Sequence, residues 1–126
     1  MKFGLFMLPC FREGVAPSLA DFYDEMSELV VRADQTGWDR VWISEHHFHY
    51  YGGTAPNPAV QLSAWARETK HIRLGPAISL MPLRNPLHVA EDYATTRLSL
   101  KRHPVAFLRD DLEAEGVTVA ADLAGG

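Results

Sequence analysis

The 126-residue sequence has few of the features that mark secreted, membrane or nucleic-acid-binding proteins. Cys10 is the only cysteine, which excludes an internal disulfide and a multi-cysteine zinc site and favours a reducing, cytoplasmic location. The apolar run at residues 3–8 is too short to cross a bilayer, and Pro9 interrupts it early for a secretory signal. A net charge of −4 provides no basic surface, so we expect neither nucleic acid nor membrane as a partner.

The sequence does contain an ordinary globular composition, with 47% hydrophobic and 22% charged residues. Three short apolar runs, at residues 2–8, 40–44 and 72–81, predict buried strands of a parallel sheet. A helical pattern follows each run, and the strands start roughly every 35 residues. This order predicts three βα units joined by right-handed crossovers.

The three helices are predicted from their caps and from the spacing of their apolar residues. The first begins after Ser18, has Asp21 in the capping-box position and ends at Gly37. The second and third begin where asparagine precedes proline, at residues 57–58 and 85–86, and the second runs to about residue 69. The faces predicted to be buried are Leu19, Phe22, Tyr23, Met26, Leu29, Val30 and Ala33 in the first helix, and Leu87, Ala90, Ala94 and Leu98 in the third.

Two folds accommodate alternating strands and helices. An open doubly wound sheet suits this length, whereas an eight-stranded (β/α)8 barrel typically takes about 250 residues. A flavodoxin-like open sheet would have a glycine-rich or Ser/Thr-rich phosphate loop after its first strand, but residues 9–14 read Pro-Cys-Phe-Arg-Glu-Gly. The residues with catalytic potential follow the second strand instead. Length therefore favours an open sheet, and the placement of the motif favours part of a barrel.

Four side chains that exchange protons or bind metals lie within five positions after the second strand: Glu45, His46, His47 and His49. Because ligands of parallel βα folds bind at the carboxyl ends of the strands, this cluster predicts a functional site. One interpretation is general acid–base chemistry by a histidine, with Glu45 orienting it or contacting a cofactor. The other is a metal site on His47 and His49, as in metal-dependent hydrolases. Its further ligands would come from His88, Asp92 and His103.

Over residues 1–94 the sequence resembles the bacterial luciferase-like family of flavin monooxygenases and deazaflavin-dependent oxidoreductases. The sharpest match is Glu-His-His-Phe at residues 45–48 after the Val-Trp-Ile strand. After residue 94 the family continues with Asp-x-Leu-Ser-x-Gly-Arg into a fourth strand, whose arginine holds the flavin phosphate, and here only Leu98-Ser99 matches. The other matching segments are residues 1–6, 33–39, 41–44, 57–58, 72–75, 82–86 and 90–94.

The resemblance implies a partial (β/α)8 TIM barrel, with three N-terminal βα units at residues 1–94 and a divergent tail at residues 95–126. It also implies FMN or coenzyme F420 as cofactor, a small organic substrate and a homo-oligomer, with no metal. The family often has a non-proline cis peptide against the flavin ring at the end of the third strand. The implied roles are catalysis for His46, cofactor binding for Ser44, Glu45, Ala77 and Ile78, and a place at the dimer interface for His47 and Glu91.

Three functions stay open from the sequence. The first is a flavin-dependent monooxygenase that uses reduced flavin and O2, with His46 as the acid or base. The second is a non-catalytic, oligomerising fragment of that family, because the phosphate-binding region is missing. The third is the metal-dependent hydrolase built on His47 and His49. In the tail, a helix starting at residues 103–104 and a short strand at residues 117–119 are predicted.

Overall fold

The computed structural model describes residues 1–48 and 51–98 of the chain. The predicted tail elements at residues 103–119 lie outside them. The three predicted βα units are confirmed, and a short 3₁₀ turn precedes the last helix. In chain order the elements are β1 (Gly4–Met7), α1 (Leu19–Gln35), β2 (Arg40–Ile43), α2 (Pro58–Glu68), β3 (Arg73–Pro76), the 3₁₀ turn (Met81–Leu83) and α3 (Pro86–Leu98).

The strands form a parallel sheet in the order β1-β2-β3. Each strand is shorter than its apolar run, and the prediction that β3 extends to residue 81 is wrong. The β2–β3 ladder ends where the amide of Ala77 donates to the carbonyl of Ile43 at 2.8 Å. Pro76 has no amide hydrogen to contribute, and after Ala77 the chain leaves the sheet.

One face of the sheet carries the core. Val41, Ile43 and Leu74 are buried beneath α1 and α2, where Trp65 is fully enclosed. Because side chains alternate along a strand, Phe6, Trp42 and Gly75, which are in register, lie on the opposite face. Phe6 is 53% exposed there. The sheet therefore has one helix-covered face and one open face.

The predicted helix caps are confirmed. Ser18 Oγ accepts a hydrogen bond from the amide of Asp21 at 3.1 Å, and Gly37 has a left-handed φ of +80° just after α1. At the other two helix starts, Asn57 Oδ1 accepts from the amide of Ala59 at 3.2 Å and Asn85 Oδ1 accepts from that of Leu87 at 2.9 Å. These caps depend on a few neighbouring residues, which is why the sequence predicts them.

The predicted buried faces need correction. In α1 the residues Met26, Val30 and Ala33 are buried, but Leu19 and Leu29 are nearly half exposed. In α3 the predicted face is wrong: Leu87, Ala90 and Ala94 are exposed, while Val89 and Thr96 are buried. The reason is that α3 packs on α2 partly through polar contacts, such as the hydroxyl pair of Thr96 and Ser63 at 2.8 Å.

Asp34 organises the amino end of β3. Its carboxylate accepts hydrogen bonds from three successive backbone amides, those of Lys70, His71 and Ile72, at 2.9, 2.8 and 2.7 Å. Burial opposes ionisation of Asp34, but the three amides outweigh it and lower the pKa of the carboxyl. The end of α1 is thereby joined to the start of β3.

Asp39 forms ion pairs with basic side chains at the amino ends of all three strands. Its carboxylate accepts a hydrogen bond from Arg40 Nε at 2.7 Å, pairs with Arg73, and lies 3.6 Å from Lys2 Nζ. The hydrogen bond from Arg40, against the opposing effect of burial and with the help of Arg73, lowers the pKa of Asp39 to about 2.

No helix in the described part of the chain is long and apolar enough to cross a membrane.

Candidate functional site

The carboxyl ends of the three strands bring their loops to one edge of the sheet. Ser44, directly after β2, donates its amide to the carbonyl of Met7 at 3.0 Å, and Ala77 makes the equivalent bond from β3 to β2. The predicted cofactor residues Ser44, Glu45, Ala77 and Ile78 therefore lie at this edge. Parallel βα folds bind their ligands at this end.

Glu45 has a buried carboxylate with both oxygens occupied. The residue is 1% exposed, Oε1 lies 2.8 Å from His47 Nε2, and Oε2 accepts the amide of Leu80 at 2.9 Å. Burial of a carboxylate is tolerated when hydrogen bonds replace its hydration. Glu45 thus joins the loop after β2 to the segment after β3, a connection that the sequence does not reveal.

The segment after β3, residues 77–80, is anchored at three points. Besides the amides of Ala77 and Leu80, the Ser79 hydroxyl is hydrogen-bonded to the Tyr93 hydroxyl of α3. The Ala77–Ile78 peptide bond is cis, at the position that the family resemblance implies. The Ile78 side chain is left 64% exposed. The segment therefore presents an apolar side chain on a fixed backbone.

Tyr93 contributes to this segment from outside the predicted site. Burial raises the pKa of its phenol, and the negative charges of Glu45 and Asp92 add to this, while the hydrogen bond with Ser79 and the charge of Arg84 oppose it. As a protonated phenol, Tyr93 can act as donor or as acceptor in its hydrogen bond with Ser79. The residues 90–94 were singled out in the sequence as part of the family match, but nothing there indicated the partner of Tyr93.

His46 lies on the outside of the loop, against a glycine. It is exposed, and a Cβ atom on Gly52 would lie 2.8 Å from the His46 ring. Gly52 has a φ of +79°, and its amide donates to Cys10 Sγ at 3.0 Å. Gly52 is a site residue that sequence reasoning missed, although its place in the Gly-Gly pair after the histidines was a signal.

Ser44 differs from its neighbours in lacking a partner. It is 2% exposed, and its Oγ is the buried side-chain atom without a hydrogen bond among the described residues. Leaving a buried hydroxyl unpaired costs free energy on the order of 1–3 kcal/mol. Such a group at the ligand-binding edge is suited to a polar atom supplied from outside this part of the chain.

The predicted interface residues have different surroundings. His47 is partly buried beside Glu45, with its ring centroid 6.1 Å from that of Phe48, whereas Glu91 is exposed on α3. Their role at an interface stays a prediction. Phe48 itself is fully exposed and has a left-handed φ of +54°, which is uncommon for a residue other than glycine.

The positions of the suggested ligands give little support to a metal site. Within residues 1–48 and 51–98 there is no group of three histidine, cysteine, aspartate or glutamate side chains that could hold a metal ion. His47 is hydrogen-bonded to Glu45, and Asp92 on α3 is paired with Arg84. His49 and His103, the other suggested ligands, lie outside the described residues.

Comparison with known proteins gives consistent matches over the N-terminal part. The chain is 35% identical over 96 residues to the oxygenase component of flavin-dependent trigonelline monooxygenase from Acinetobacter baylyi, covering 76% of this chain and 26% of that protein. It is 34% identical over 77 residues to F420-dependent glucose-6-phosphate dehydrogenase from Amycolatopsis mediterranei, covering 59% and 23%. These relatives use a flavin or coenzyme F420 by their names, and the chain spans about a quarter of their length.

A solved structure agrees with these matches. The oxygenating constituent of 3,6-diketocamphane monooxygenase from Pseudomonas putida, a type II Baeyer–Villiger monooxygenase in complex with FMN, superposes with a TM-score of 0.71 at 26% identity. The superposition covers 92% of this chain and 32% of that structure. The model of the luciferase-like monooxygenase family matches residues 1–98, and the chain therefore belongs to that family.

Proposed function

We propose that the chain is the N-terminal part of a flavin-dependent, luciferase-like monooxygenase, consisting of three βα units of a (β/α)8 barrel. The similar FMN-bound structure supports this, as does the open sheet face that carries Phe6 and Trp42. In a closed barrel that face is the filled interior. The cofactor is FMN or coenzyme F420, the substrate is a small organic molecule, and the unpaired Cys10 fits a cytoplasmic location.

The observation that carries the proposal is the anchored segment at residues 77–80 beside the Ser44 hydroxyl, which has no partner within residues 1–48 and 51–98. Ala77 and Ile78 would pack against the flat ring of a flavin, and Ser44 Oγ would hydrogen-bond one of its polar atoms. When bound in its reduced form, the flavin supplies the electrons for a reaction with O2. Glu45 holds the two loops in place. The exposed His46 would act as the acid or base, giving or taking a proton at its ring nitrogens.

Flavin binding tests the proposal directly. Titration of the 126-residue chain with FMN should quench flavin fluorescence and shift its absorbance, and Ile78→Asp should remove both effects because it places a charge against the ring. Val60→Asp is the matched control, since Val60 is 67% exposed on α2, similar to the 64% of Ile78. Absence of any spectral change with the unmodified chain, or equal binding by both variants, would contradict the proposal.

The role of His46 needs a separate measurement. His46→Asn should keep the quenching of FMN, since the exposed ring contributes little to packing, but should abolish the oxygen consumption that exceeds the spontaneous oxidation of free reduced FMN. Unchanged oxygen consumption in the variant would show that His46 takes no part in the reaction.

A second candidate function is non-catalytic self-association. The open sheet face and a groove of about 440 Å³ along β1 and α1 favour it, because Phe6 and Leu29 are exposed there. We propose a second copy of this chain as the occupant, giving a homo-oligomer. His47 and Glu91 do not line this groove, so their place at a dimer interface is a separate proposal. Light scattering should then show a dimer or larger assembly that Phe6→Asp dissociates, and a stable monomer at high concentration would refute it.

A further inference from the structure

The carboxylate of Glu45 makes two contacts that reach different parts of the site. One oxygen is bonded to His47 Nε2 in its own loop, and the other accepts the amide of Leu80, 35 residues later. We infer that Glu45 is a positioning residue, which holds His47 as the tautomer protonated on Nε2 and fixes the two loops relative to each other. The functional side of this inference rests on the proposed flavin site, because these loops form its walls.

The tautomer follows from the donors and acceptors available. An ionised carboxylate can only accept, so the proton between Glu45 Oε1 and His47 must be on Nε2. In a neutral imidazole the other nitrogen, Nδ1, is then an acceptor. Orientation of a histidine by a third group is the arrangement found in proton-transferring sites. Nδ1 of His47 is then the ring nitrogen that carries the lone pair.

The second contact completes the anchoring of residues 77–80. Ala77 is held by the sheet and Ser79 by Tyr93, while Leu80 is held by Glu45. The first two anchors come from β2 and α3. Only the third, among these bonds, reaches the histidine-bearing loop. Removing it should leave the segment attached to the fold but free to shift relative to His47.

Glutamine at position 45 gives a sharp test because it has one acceptor oxygen in place of two. If that oxygen keeps the Leu80 amide, the side-chain NH2 faces His47 Nε2, which can accept only after its proton moves to Nδ1. Glu45→Gln should therefore switch the tautomer of His47 without removing the bulk of the side chain. Glu28→Gln, the same change at an exposed position of α1, is the matched control.

The measurement is an NMR spectrum of the full 126-residue chain labelled with ¹⁵N-histidine, recorded at about pH 8 so that a histidine with an ordinary pKa is neutral. The unmodified chain and Glu28→Gln should show His47 protonated on Nε2, and Glu45→Gln should show it protonated on Nδ1. Protonation on Nδ1 in the unmodified chain, or the same tautomer in all three proteins, would overturn the inference.

Hydrogen exchange tests the other contact. Glu45→Ala should speed exchange of the Leu80 amide by about tenfold or more, equivalent to the loss of one hydrogen bond, whereas His47→Gln should leave it slow. Equal exchange rates in the unmodified chain and Glu45→Ala would contradict the second contact. Circular dichroism that matches the unmodified chain confirms that each variant is folded.

Flavin titration separates this inference from the proposed function. Glu45→Ala should weaken FMN binding by about tenfold, because the two walls are no longer fixed. If the unmodified chain binds no FMN, the proposed function fails while the tautomer and exchange results still decide the structural role of Glu45. If FMN binds both proteins equally, the positioning role fails while flavin binding by the chain stands.

Discussion

At the amino end of the three-stranded sheet, Asp34 accepts three backbone amides, and Asp39 has Arg40, Arg73 and Lys2 around it. At the carboxyl end, by contrast, Ser44 has a buried hydroxyl without a partner in the described part of the chain, and Ile78 is exposed on an anchored segment. Both ends are made by the same three strands.

The difference matches a division of labour that parallel βα folds show in general, with stability built into the amino end and ligand binding at the carboxyl end. Polar groups that stabilise a fold have their hydrogen bonds satisfied within it. A group kept for a ligand lacks a partner until the ligand is bound, and this weakens the unliganded protein slightly. Changes at the two ends should therefore have different consequences for stability and for binding.

The largest effect is expected from Asp34→Ala. It leaves three amides at the start of β3 without their charged acceptor, which should lower the free energy of unfolding by roughly 2–3 kcal/mol. FMN binding by the folded protein should be unchanged. Urea unfolding measures the loss, and Asp24→Ala, at an exposed position of the same helix, is the control. Equal stability of the two variants would show that the amino end does not depend on Asp34.

Alanine at position 52 or at position 37 introduces the same backbone strain at opposite ends of the sheet. Both glycines have φ near +80°, so each alanine should cost about 1–2 kcal/mol. A Cβ at position 37 meets no atom of the described residues within 4 Å, whereas one at position 52 would lie 2.8 Å from the His46 ring. Only Gly52→Ala should therefore shift the His46 NMR signals. An equal shift in Gly37→Ala would show that the close approach of position 52 to His46 is not the cause.

Ser44→Ala should have a smaller effect of the opposite sign on stability. Removing a buried hydroxyl that has no partner in the described part of the chain should raise the free energy of unfolding by about 1 kcal/mol, while FMN binding should become weaker. Parallel urea unfolding and FMN titration measure both quantities. Destabilisation by this variant would mean that the hydroxyl already has a partner, and the carboxyl end would then resemble the amino end.

The smallest effect concerns acid stability. Because the folded-state pKa of Asp39 is about 2, below its ordinary value of 3.8, the unfolded chain binds more protons between these values. The contribution of Asp39 is present above pH 3.8 and is lost as the pH falls through about 2, and the lowered pKa of Asp34 acts in the same direction. Between these pH values, the urea midpoint should fall less steeply for Asp39→Asn than for the unmodified chain. An unchanged slope would mean that other groups cause the acid sensitivity.

The fold could be predicted from sequence where the signal was local. Ser18, Asn57 and Asn85 each cap a helix through residues two or three positions away, so the helix starts were predicted correctly. The buried face of α3 was predicted wrongly, because Thr96 and Ser63 form a polar contact between helices that hydrophobic spacing cannot show. The strand runs were located correctly but were too long, since ladder length depends on the neighbouring strand.

The candidate site was predicted as a list of residues but without most of its contacts. Glu45, His46 and His47 were identified because they directly follow an apolar strand. The packing of His46 against Gly52 and the bond from Ser79 to Tyr93 were not, because each joins loops or elements separated in the sequence. Contacts of this kind depend on how the chain crosses from strand to strand. A local sequence pattern does not predict these crossings.

Local sequence patterns were sufficient to predict three βα units, the caps at which their helices begin, and the Glu-His-His cluster after β2. Caps and strand ends depend on backbone geometry over a few residues. Only the folded structure shows that Glu45 joins His47 to Leu80, that Asp34 caps the start of β3, and that Ser44 Oγ has no partner among the described residues. Those outcomes depend on which segments the parallel sheet brings together.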